Sequence, residues 1–122
     1  MTAKTAALVI GIVFIAVGIL GFIPNPLVSP TGLFAVNTMH NLVHLISGIV
    51  LLAGLYSFGA SLALKIVGIV YALVAILGFF IVGDDGMMLG MIHVNEADKW
   101  LHVVLAVVIL LAGFALPDDK MA

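Results

Sequence analysis

Two short stretches hold the side chains that could do chemistry. The first reads Asn37-Thr38-Met39-His40-Asn41-Leu42-Val43-His44, and the second Asn95-Glu96-Ala97-Asp98-Lys99-Trp100-Leu101-His102. Each has an Asn, a His or Asp three residues on, and a His seven residues after the Asn. At about 3.6 residues per turn, offsets of three, four and seven fall on one helix face. Asn37, His40 and His44 therefore form one stripe, and Asn95, Asp98 and His102 another.

Several chemistries fit these stripes. His40, His44, Asp98 and His102 would offer a metal three imidazoles and one carboxylate. Imidazole suits zinc, copper, nickel or iron, and a four-ligand set suits zinc. Asn37, Asn41 and Asn95 would then orient the imidazoles through hydrogen bonds. Alternatively, His44 and His102 could be the axial ligands of a haem, with Gly48 and Ala106 leaving room for it. A proton relay through His and Asp is a further reading, because histidine titrates near neutral pH. A structural account competes with all of these. Asn37 and Asn95 are good helix N-caps, and Asp98 stands where it can complete a capping arrangement. His44 and His102 lie about 10 Å beyond those caps. There they would bond a backbone carbonyl or an Asn across the bundle.

The elements that position these residues follow from composition. Of 122 residues, 65% are hydrophobic and 8% charged, against roughly 45–50% and about 25% in a soluble domain. A small soluble fold cannot bury that much apolar surface. A soluble enzyme, a nucleic-acid binder and a disordered chain are excluded. Lipid is the expected solvent. With no cysteine, disulfides and thiolate sites are excluded as well. Net charge is -2, and the four basic residues are all lysines, so there is no basic patch for nucleic acid.

Apolar runs over Ala6–Ile23, Met39–Tyr56, Leu62–Val82 and Trp100–Leu116 predict four transmembrane helices, each near the about 20 residues a span requires. The first run exceeds the about 7–15 residues of a signal core, so a retained helix is expected. Lys4, Lys65 and Lys120 fall on one side of the membrane and Lys99 on the other, which predicts cytoplasmic N- and C-termini. Pro24, Pro26 and Pro30 make the first long loop non-helical. Asp84-Asp85-Gly86 reads as a turn in the second, and His93 as an exposed loop residue.

The chain also reads as a tandem duplication. Gly11–Ile23 and Gly68–Phe80 are identical at eight of thirteen positions. Gly32-Leu33-Phe34-Ala35-Val36-Asn37 aligns with Gly90-Met91-Ile92-His93-Val94-Asn95, and His44 with His102. The expected architecture is one membrane domain over 1–122, all-α, built from two helix-loop-helix repeats at about 6–56 and 62–116. Two spans per unit predict a pseudo-two-fold axis along the membrane normal, with the two stripes facing each other. Gly11, Gly18, Gly48, Gly68, Ala75 and Ala106 are small residues that let helices pack closely.

The stretch Gly32–Leu45, together with Asn95–His102, resembles an uncharacterised bacterial family catalogued as domain of unknown function number forty-three eighty-three. The resemblance covers nearly the whole chain. It implies a small four-span membrane protein of bacterial origin, hence the inner membrane, and implies no activity. The second signature commonly continues Ala-Asp-Asn in that family, where Lys99 stands here.

The function expected from sequence is a non-enzymatic structural or accessory membrane component, with its His/Asn/Asp cluster between the second and fourth helices. The alternative is a metal- or haem-binding membrane protein using that cluster, with zinc or copper ahead of haem. Ser29, Ser47, Ser57 and Ser61 have no triad context, so no enzyme is expected. The expected partners are the lipid bilayer and a further copy or a larger membrane complex.

Overall fold

The computed structural model describes residues 1–117. Four helices run α1 (Ala3–Leu20), α2 (Thr38–Tyr56), α3 (Ala60–Phe80) and α4 (Glu96–Ala115). All four are long and apolar enough to cross a membrane. α1 packs chiefly on α2 and α3 on α4, and α2 against α3 joins the two hairpins. The N–H of Ala3 donates to the carbonyl of Pro117 at 2.9 Å, so the start of α1 meets the end of α4. Lys120, used in the orientation argument, and the tail Asp118-Asp119 lie outside the described residues.

Caps set the helix boundaries more than apolarity does. Thr2 accepts from the Thr5 N–H at 3.3 Å and starts α1 three residues before the apolar run. Asn95 starts α4 at Glu96, four residues before Trp100, because its side chain accepts from the Asp98 N–H at 2.9 Å. Pro24 stands just past the end of α1, where it cannot continue a helix. Between α2 and α3 the chain reverses through Ser57–Gly59. Gly59 takes a φ of 117°, a conformation only glycine adopts without strain, and its N–H donates to the Gly54 carbonyl at 2.8 Å.

Side chains sort by size and polarity in the manner of a lipid-solvated bundle. Ile12, Ile49, Leu73, Ile76, Val107 and Leu111 are exposed, while Gly11, Gly18, Gly48, Ala75 and Ala106 are buried. The buried polar residues are Ser29, His40, Asn41, His44, Ser47, Asp98 and His102. Large apolar groups outward, with small and polar groups inward, is what hydrocarbon surroundings favour. The α1–α2 seam is tight: a Cβ on Gly48 would stand 2.7 Å from the Gly11 carbonyl oxygen.

The two long loops contain short strands the sequence pattern does not foretell. In the first, β1 (Val28–Ser29) pairs in parallel with β2 (Phe34–Ala35). In the second, β3 (Met87–Met88) and β4 (Ile92–His93) form an antiparallel hairpin. Asn25 organises the first loop. Its amide nitrogen donates to the Leu20 and Val28 carbonyls at 3.0 and 2.6 Å, and its oxygen accepts from the Val28 N–H at 2.7 Å. The second loop turns where expected, with the Gly86 N–H donating to the Gly83 carbonyl at 2.9 Å.

Candidate metal centre

The capping residues place the histidines. Asn37 fixes the first turn of α2 by accepting from the His40 N–H at 3.0 Å. That puts His40 and His44 one turn apart on the buried face, with ring centroids 4.7 Å apart. The cap of α4 does the same for His102, whose ring centre lies 5.4 Å from that of His40. His40 and His102 are each 2% exposed and His44 4%. One ligand atom from each of the three imidazoles falls within 4.8 Å of the others. Zinc bound by imidazoles at about 2.0–2.1 Å holds their nitrogens about 3.4 Å apart. The rings would have to turn toward one another to hold such an ion.

Hydrogen bonding treats the three rings differently. His40 Nδ1 lies 2.7 Å from the carbonyl oxygen of His93. A carbonyl only accepts, so the proton sits on Nδ1 and the Nε2 lone pair is free. His44 Nδ1 and His102 Nδ1 are buried and have no hydrogen-bond partner among the described residues. Buried polar atoms are nearly always paired, so two orphans in one cluster require an explanation.

The rest of the wall is aromatic. Phe14 stands 5.9 Å from the His44 ring and Tyr71 6.0 Å from the His102 ring, centre to centre. Ser47 donates to the Val43 carbonyl at 2.7 Å, so the Tyr71 hydroxyl 3.1 Å away is the donor to Ser47. That chain ends on backbone and leads no proton further.

Asp98 does not join the three imidazoles. It is buried, but its Oδ2 accepts from the Asn95 N–H at 3.0 Å, completing a capping box. The third position of the helix points its carboxylate back at the cap. The asparagines also do something other than orient imidazoles. Asn37 donates to the Met91 carbonyl at 2.8 Å and Asn95 to the Leu33 carbonyl at 2.9 Å. The Asn41 Oδ1 has no partner among the described residues, and its side chain fills the space beside Gly21. His93 is half-buried in β4 and not an exposed loop residue. The pairing of its strand turns its carbonyl to His40. Sequence reasoning missed that carbonyl, together with Phe14, Tyr71 and Ser47.

A groove of about 640 Å³ lies elsewhere, on the open face between α3 and α4 along Ile76, Phe79, Trp100 and Leu110. Its lining residues are all apolar, so it offers surface to lipid and no chemistry.

No curated protein and no solved structure matches the chain. A family model does match, over residues 4–115, which takes in every residue of the histidine cluster and all four helices apart from the first residue of α1. The chain belongs to the family described as Domain of unknown function (DUF4383).

Proposed function

We propose that this is an integral membrane protein of two tandem hairpins that holds a transition-metal ion between His40, His44 and His102. The observation that carries this reading is the pair of buried, unpartnered imidazole nitrogens on His44 and His102. A hydrogen bond to a backbone carbonyl, the competing structural role, accounts for His40 and leaves those two unexplained. Three protein ligands leave an open coordination position, the pattern of a site that exchanges its ligands. Haem is the weaker reading: the His40 ring sits 4.7 and 5.4 Å from the two would-be axial rings, in space a macrocycle needs.

The tandem-repeat reading is supported by matched contacts. Phe14 lies against His44 as Tyr71 lies against His102, and their alignment equivalents are each other. Asn37 reaches Met91 as Asn95 reaches Leu33. Such reciprocity is what a pseudo-two-fold along the membrane normal produces. The lysines near the starts of α1 and α3, Lys4 and Lys65, favour both termini in the cytoplasm, and the resemblance to a bacterial family implies the inner membrane. The site then lies toward the other side.

The test is metal-linked stability in detergent. Zinc at about 100 times its dissociation constant stabilises a one-site protein by about 2.7 kcal/mol. Wild type should show a zinc-dependent rise in Tm, and His44→Ala/His102→Ala should show none. An identical response in both proteins would remove the proposal.

A further inference from the structure

The metal has to reach a buried site, and the loop end of the bundle shows where. The three imidazoles are almost wholly enclosed. Above them lies the β3–β4 hairpin, tied down by the His40–His93 bond and by the amide of Asn37 on the Met91 carbonyl. The β1–β2 loop lies at the same end, tied by the amide of Asn95 to the Leu33 carbonyl.

The hairpin carries soft ligands. Met87 and His93 are directly paired across the two strands, so their side chains stand on one face, Cβ atoms about 4.5–5.5 Å apart. Both are half-buried and so within reach of the outside, whereas the next residue, Met88, is only 2% exposed. The Met87 sulfur lies 3.7 Å from the Asn37 amide nitrogen, one turn before His40. The His93 ring lies over Gly86, where a Cβ would come within 3.4 Å of Nε2. Of the six methionines in the chain, Met39, Met87, Met88 and Met91 gather at this end. Thioether sulfur selects monovalent copper and holds zinc poorly.

Resting on the metal-site reading, we infer that Met87 and His93 form a transit site for monovalent copper, passing the ion to the three imidazoles beneath. A two-ligand site of one thioether and one imidazole binds weakly and releases readily. The three-nitrogen site below holds the ion more firmly. Copper moves down that gradient without change of oxidation state.

The experiment follows transfer of monovalent copper from its coloured bicinchoninate complex to tag-free protein in detergent. Compared are wild type, Met87→Leu/His93→Gln and His44→Ala/His102→Ala. The His93→Gln change keeps the backbone carbonyl that His40 needs. Wild type should take up about one copper per chain. The hairpin variant should reach the same final occupancy about tenfold more slowly, with unaltered zinc occupancy as its folding control. If wild type binds neither copper nor zinc, the metal site itself fails. If it binds metal but the hairpin variant loads copper at the wild-type rate, the transit site alone fails.

Discussion

Asn37 and Asn95 each cap their own helix and hold the other hairpin's loop. Their side-chain oxygens accept from His40 and Asp98, while their amide nitrogens donate to the carbonyls of Met91 and Leu33 at 2.8 and 2.9 Å. One side chain thereby fixes both where a helix begins and how the two hairpins meet. The histidine cluster lies between these ties, so its geometry depends on them.

The two roles separate by substitution. Asn37→Ala loses the cap and the tie, about 2 kcal/mol together. Asn37→Asp keeps the cap oxygen and loses only the amide donor, about 1 kcal/mol. Unfolding in detergent, followed by circular dichroism, should rank wild type above Asp and Asp above Ala. Equal loss in both variants would mean that the cap contributes nothing.

Close approach of α1 and α2 predicts a contrast between glycines. A Cβ at Gly48 would meet the Gly11 carbonyl oxygen at 2.7 Å and Ile15 Cγ1 at 2.6 Å. Backbone cannot move aside cheaply, so Gly48→Ala should cost about 1–3 kcal/mol. At Gly78 the nearest atom to an added Cβ is Lys99 Cγ at 3.8 Å, and Gly78→Ala should be tolerated. Thermal unfolding of the two variants side by side checks the difference.

Tyr71 serves the wall of the site and not its chemistry. Tyr71→Phe removes a hydroxyl that donates to Ser47, while Ser47 retains its own bond to Val43. The expected loss is about 1 kcal/mol of stability, with metal stoichiometry unchanged. Loss of metal in Tyr71→Phe would give the hydroxyl a role beyond packing.

The legible part of this molecule lies where a side chain reports its own environment. His44 and His102, about two turns beyond the caps of apolar helices, mark the site in the sequence because polar groups at such depth in a membrane are costly. Asn37 and Asn95 read as caps, and both are caps. The start of α4 shows the limit of the apolar run, which begins at Trp100 although the Asn95 cap starts the helix at Glu96. Asp98 shows the limit of helical spacing: it shares a stripe with His102, yet its carboxylate turns back to the Asn95 N–H. The His93 carbonyl is invisible from sequence, since every residue at that position would supply the same main-chain oxygen and only the local fold aims it at His40. The strands themselves are two residues long, too short to show any periodicity.

The most direct test of the metal centre is elemental analysis by mass spectrometry. The protein would be purified in mild detergent, without a polyhistidine tag or chelator, beside His44→Ala/His102→Ala. The account predicts a transition metal near one per chain in wild type and none above background in the variant. A folded wild-type sample free of metal, and still free after exposure to zinc and monovalent copper, would contradict it.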